Sequence, residues 1–122
     1  MGRLSNLRRE FRNAVAPICV GLDATCRVAT GKTTYNDGGA PDGQMFAVVI
    51  VLGPVDQTNE DLLDQLLDVA GELSIKSALE ANRTPAGALD VRVTSSSGAR
   101  PYPQPEGEPH IGAEWQVQVL LD

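Results

Sequence analysis

Aromatic side chains are scarce in this 122-residue chain: one Trp, two Tyr and two Phe. A chain of this length folds as one domain, here 1–122, and buries roughly two thirds of its unfolded surface. Its core must therefore rest on Leu, Val, Ile and Ala. Histidine occurs once, at His110. A Ser-His-Asp or Cys-His pair needs that imidazole as its base, but "EPHIG" is a Pro-flanked loop and no nucleophile elbow accompanies it. Cysteine occurs twice, at Cys19 and Cys26. Two cysteines make no disulfide framework, and their spacing is not that of a Cys-x-x-Cys redox motif beside a helix. With His110 they offer three soft ligands at most, without the close cysteine pairs of a zinc site. Both read as buried thiols on strands. Long apolar runs are also missing. The longest, Phe46 to Leu52, is far too short to span a bilayer. The N-terminus reads as an Arg-rich helix rather than a secretory signal, so the expected origin is the cytoplasm. No membrane, metal or cofactor is expected.

What is present is charge, unevenly spread. Residues 1–34 carry Arg3, Arg8, Arg9, Arg12, Arg27 and Lys32 against Glu10 and Asp23, a balance of +4, whereas the remainder stands at −10. Such polarity suits self-association in which unlike patches meet. It argues against a domain that grips nucleic acid, which needs a basic face; the bland alternative is two soluble ends. "GKTT", residues 31–34, has the tail of a phosphate-binding loop, but Cys26 stands where the pattern needs glycine, and turn sequence follows where a helix should.

Hydrophobic periodicity orders the chain. Leu4, Leu7, Phe11, Ala14 and Val15 form one stripe of a helix over 4–15, ended by Pro17. Residues 18–35 are β-like but broken, with Ile18, Val20 and Leu22 alternating. "NDGGAPDG" makes 36–44 a long loop. Phe46–Leu52 is a central strand covered at least in part on both faces. Thr58 caps a second helix that Gly71 stops, with Leu62, Leu63, Leu66, Leu67, Val69 and Ala70 on one face. Ser74 caps a short helix, Ile75 to Ala81. Asp90–Ser95 is a strand with Val91 and Val93 inward. Residues 95–112, rich in Pro and Gly, form a long contact loop. Ala113–Leu121 is a strand with Trp115, Val117, Val119 and Leu121 on one face. The expected fold is α+β: a mostly antiparallel sheet with the helices packed on one face, in the order α-β-β-α-α-β-β.

The acid of "TNEDLLDQLLD" lies opposite the leucines. Glu60, Asp61, Asp64 and Asp68 occupy the solvent side of an amphipathic helix, where a catalytic carboxylate would lack the cleft that shifts its pKa. The Glu-x-x-His partner of a carboxylate metal site is also missing. An acidic face can still meet a basic neighbour.

The segments "FAVVIVLGPVDQTNEDLLDQLLD", "SIKSALE", "NRTPAGALDVRVTSSSGARPY" and "IGAEWQVQVLL" resemble, in order and spacing, the tail terminator proteins of long-tailed bacteriophages. The likeness runs from about Phe46 to Leu121, and the N-terminal helix fits it; residues 18–44 depart from it. The resemblance implies a structural virion protein with no catalytic, cofactor or metal site. Such a protein is a homo-oligomeric ring, typically a hexamer, at the head-proximal end of the tail tube. It would stop polymerisation of the tail tube protein, join the tail to the head-tail connector or stopper protein, and let genomic DNA pass without specific binding. It would be assembled in the host cytoplasm. Arg8, Arg9 and Arg12 on the basic helix and Asp61, Asp64 and Asp68 on the acidic one are the expected subunit-interface patches; Arg100, Tyr102 and His110 are the expected partner-contact residues. The competing readings are another neck protein, a small ligand-binding or enzymatic α+β domain with its pocket around Tyr102 and His110, and a dimeric regulatory domain.

Overall fold

A computed structural model describes residues 2–121. The chain runs α1 (Arg3–Gly21), β1 (Thr25–Tyr35), β2 (Pro41–Pro54), α2 (Gln57–Leu67), α3 (Ile75–Glu80), a 3-10 turn (Pro85–Gly87), β3 (Asp90–Ser96), β4 (Arg100–Tyr102) and β5 (His110–Leu120). The sheet is antiparallel throughout, in the order β1-β2-β5-β3, with β4 paired to the first residues of β5. The fold is α+β, with the helices on one face: α1 lies over β1, α2 over β2 and β5, and α3 over β3.

That face is where the apolar residues converge. Phe46, Val48, Ile50 and Leu52 of β2 and Ala113, Trp115, Val117 and Val119 of β5, each two residues apart, are buried there. Leu7, Phe11 and Val15 of α1, Leu63 and Leu66 of α2, and Ile75 and Leu79 of α3 close over them in one cluster. Phe11 meets Phe46 edge-on at 5.4 Å between ring centroids, a favoured aromatic geometry. The second face of β2 carries no helix. There Met45, Ala47 and Val51 are partly exposed, and Val49 is buried without belonging to the core cluster, with Arg27 and Glu114 as its cross-strand neighbours.

Four local expectations are corrected. First, α1 passes through Pro17 and continues to Gly21, so residues 18–21, Cys19 among them, are helical rather than strand. Proline at 17 removes the N–H that would bond the carbonyl of Asn13. Both residues are exposed, so water can serve that carbonyl. The apolar stripe meanwhile continues through Ile18, Cys19 and Leu22 onto the core, while Val20 is 80% exposed. Second, the loop over 36–44 shrinks to a tight turn. Asn36 Oδ1 accepts the N–H groups of Gly38 and Ala40, Asn36 N–H bonds the Ala40 carbonyl at 2.8 Å, and β2 starts at Pro41. Third, Asp56 caps α2, its carboxylate accepting the Asn59 N–H at 2.8 Å. Thr58 lies in the first turn. The helix ends at Leu67, well before Gly71, which serves a later turn at φ +115°, and Val69 is exposed. Fourth, the stretch 95–112 is not one loop: β4 pairs Arg100, Pro101 and Tyr102 with Gly112, Ile111 and His110.

The expected Ser74 cap is present, its hydroxyl accepting the Ser77 N–H at 3.2 Å while donating to the Asp68 carbonyl at 2.6 Å. The Glu80 carboxylate fastens α3 to the edge of β3, accepting from Lys76 Nζ at 2.6 Å and from the Val93 N–H at 2.9 Å. Gln44, the largest buried polar side chain, donates to the carbonyls of Gly31 and Met45, both at 2.9 Å, and accepts from Thr33. It thereby anchors the irregularity between Thr30 and Thr33 in β1. The "GKTT" segment lies in this strand, not at a helix N-terminus. No helix of the described residues is long and apolar enough to cross a membrane.

Candidate functional site

Three sets of side chains came out of the sequence, and the fold treats them differently. Arg8, Arg9 and Arg12 sit on the outer flank of α1. Arg8 donates to Thr30 Oγ1 at 2.5 Å and to Ser5 Oγ at 3.1 Å, which lashes the helix to β1, and Arg9 donates to Asn6 Oδ1 at 2.6 Å. Arg9 and Arg12 are exposed and Arg8 is half-buried. Among the described residues the ion pairs join Lys76 to Glu80 and Arg83 and Arg92 to Asp90. None of them involves Arg8, Arg9 or Arg12.

Asp61 and Asp64 project from the exposed side of α2, and Asp68 is its C-terminal cap. Asp61 accepts from Gln57 Nε2 at 2.9 Å. No ion pair among the described residues involves Asp61, Asp64 or Asp68. The basic and acidic sets thus lie on different elements of one helical layer. No hydrogen bond or ion pair between described residues joins them, so within the chain they do not neutralise one another.

Arg100, Tyr102 and His110 are brought together. The β4–β5 register sets Tyr102 opposite His110 and Arg100 opposite Gly112. The Arg100 guanidinium lies 5.9 Å from the centroid of the Tyr102 ring, within cation–π range. The ring also closes over Gly112, where a Cβ would come within 3.0 Å of Tyr102 Cε2 and 2.4 Å of the Ile50 carbonyl oxygen. Sequence reading placed these residues on one loop; their grouping depends on strand pairing, which spacing did not reveal. His110 also borders an open depression of about 570 Å³ shared with Asp23, Thr25, Asn59 and Gln104. Tyr102 is not part of its lining, so the two do not frame a common apolar pocket. A second hollow, of about 400 Å³, runs between α1 and α3 past Phe11, Ala14, Ala78 and Pro85.

Cys19 is buried under the last turn of α1, and Cys26 is half-buried at the start of β1. No group of three or more His, Cys, Asp or Glu side chains among the described residues is arranged to hold a metal ion. The Asp90 carboxyl is held below its ordinary range by the hydrogen bonds from Arg83, at 2.8 and 3.1 Å. At Glu80 burial opposes ionisation, but the bonds from Lys76 and Val93 outweigh it and the pKa lies low. Glu80 ties α3 to β3, and Asp90 ties the start of β3 to Arg83 in the turn that follows α3.

The chain matches no family model and no curated protein sequence.

Proposed function

We propose that this chain is a structural virion protein, a ring-forming tail terminator. It caps the head-proximal end of the phage tail tube, stops tube polymerisation and joins the tail to the head connector. The observation that carries the reading is the pair of unlike charged patches, Arg8/Arg9/Arg12 on α1 and Asp61/Asp64/Asp68 on α2 and its cap, which take part in no ion pair among the described residues. When one patch meets a different patch on a neighbour, the contact is heterologous, and it forms a ring when the rotation closes. The uncovered face of β2, apolar at its centre, supports association further. Arg100, Tyr102 and His110 offer an aromatic and cationic contact at one end of the sheet, of the kind enriched at interface centres. A net charge of −6 suits a channel through which DNA slides, because acidic walls repel phosphate and basic walls hold it. The work is assembly, without a chemical step, in a hexameric ring.

The test is the double reversal Asp64→Lys/Asp68→Lys. Light scattering of the wild type should show rings that loosen as salt rises, because Debye screening shortens to about 3 Å at 1 M salt. The variant should remain monomeric at low salt and lose the capacity to cap isolated tail tubes. An unchanged mass and an unchanged salt response would sink the charge-pairing mechanism. Binding to heads rather than to tubes would reassign the chain to a connector or stopper.

A further inference from the structure

The packing of α1 on β1 has chemistry that ring assembly does not use. The bond from Arg8 to Thr30 Oγ1 marks where the helix crosses the strand. From Arg8 to Cys19 the helix advances about 16 Å and makes three turns plus about 20°, so Cys19 lies on the same face as Arg8. From Thr30 back to Cys26 the strand covers about 13 Å, and the even separation keeps Cys26 on the same face as Thr30. The reversal between them is short and tied down. The N–H groups of Leu22, Asp23 and Ala24 bond the carbonyls of Ile18, Val20 and Cys19, and Asp23 takes up a positive φ of 54°. Helix and strand run antiparallel, so this geometry brings the two thiols side by side. Both side chains pack into the same apolar cluster, and hydrogen bonding with Cys19 lowers the pKa of the Cys26 thiol. Cys19 is sealed in the core, whereas Cys26 is partly open to solvent. Arg12, two turns before Cys19 on the same stripe, lies close enough for its charge to act on Cys26.

We propose that Cys26 and Cys19 form a thiol–disulfide exchange site: Cys26 attacks low-molecular-weight disulfides as the nucleophile, and Cys19 resolves the adduct. The step balances. The Cys26 thiolate attacks one sulfur of RSSR, forming a Cys26–S–SR bond and releasing RS⁻. Cys19 then gives up its proton, its thiolate attacks the Cys26 sulfur, and the second RS⁻ leaves. Two protein thiols are oxidised, one small disulfide is reduced to two thiols, and α1 becomes covalently tied to β1. The division of labour follows from the environment. The bond from Cys19, and after it the positive charge of Arg12, favour the thiolate at Cys26 against the effect of burial. Donating that bond, together with burial, keeps Cys19 protonated until a mixed disulfide has formed.

The experiment treats the intact protein with oxidised glutathione, quenches exchange and removes the glutathione in acid, alkylates the remaining thiols with iodoacetamide in denaturant at mildly alkaline pH, and weighs the product. The wild type should lose both alkylatable thiols together and two hydrogen masses, with at least tenfold less glutathione adduct than Cys19→Ala. Cys19→Ala should hold a stable adduct on Cys26, and Cys26→Ser should stay unmodified. Peptide mapping of the oxidised wild type should find residues 19 and 26 joined, and dithiothreitol should release them; this arm needs no variant to fold. The proposal is overturned by a lasting adduct on the wild type or by two free thiols after prolonged exposure. It is equally overturned by a folded Cys26→Ser protein that reacts as fast as Cys19→Ala.

Discussion

Replacing Glu80 separates two contributions that one carboxylate makes. Its side chain is 15% exposed and accepts from Lys76 Nζ at 2.6 Å and from the Val93 N–H at 2.9 Å. The lysine pair is i, i+4 with a partner 38% exposed, so solvent screening limits it to about 0.3–0.5 kcal/mol. The bond to Val93 is of another kind: a charged acceptor serving a backbone donor beneath α3, worth about 1.5–3 kcal/mol. Glu80→Ala should therefore cost about 2–3 kcal/mol. Glu80→Gln keeps an oxygen for Val93 but loses the charge, and should cost about 1 kcal/mol. The pH dependence follows from the sign of the shift. The folded pKa lies below the ordinary value of 4.5, so the carboxylate contributes its full stability above that value. The contribution fades as pH falls through the lowered folded value. The gap between wild type and Glu80→Gln should be constant well above the ordinary value and narrow progressively as pH falls through and below it. Urea unfolding followed by the fluorescence of Trp115, the single tryptophan and 2% exposed, measures it. A gap that stayed constant down to pH 3, or a Gln variant as unstable as the Ala variant at neutral pH, would refute the role of the ionised carboxylate.

Two further outcomes are expected. Asp56→Ala should lower stability by about 1 kcal/mol, because its carboxylate holds the Asn59 N–H, whereas Thr58→Ala should stay within about 0.5 kcal/mol; paired thermal melts compare the two caps. Gly112→Ala should cost about 1–3 kcal/mol or more in denaturant titration, since its Cβ would lie 2.4 Å from the backbone oxygen of Ile50. Gly21→Ala, with open space around it, should be neutral or stabilising by up to about 1 kcal/mol.

The legible parts of this fold are those whose apolar pattern repeats locally. Leu63 and Leu66 mark α2, and Trp115, Val117 and Val119 mark β5, because a helix or strand with one buried face writes its period into the sequence. What escaped reading depends on partners far along the chain. Pro41 to Gln44 looks like loop but extends β2 because β5 and β1 supply its bonds. Arg100–Tyr102 is strand because His110–Gly112 pairs with it. Pro17 read as a stop, but it and Asn13, whose carbonyl it leaves without a helical donor, lie on the exposed side of α1. At the candidate site, the outward acid of α2 was visible as a stripe. The proposed pairing of Cys19 with Cys26 was not, since it depends on the packing of α1 against β1.

The sheet order also dictates when the domain can form during synthesis. β5 is the last described strand to be made, yet it lies between β2 and β3 and binds both. Until it arrives, the β1–β2 hairpin has no partner on its inner edge, and β3 and β4 have no strand to pair with. Gly43 must wait for Leu120, a closure of high contact order that is intrinsically slow. A nascent chain lacking this strand has neither a complete core under Trp115 nor a finished sheet. Incomplete polypeptides therefore lack the finished sheet that the proposed ring would require of each subunit.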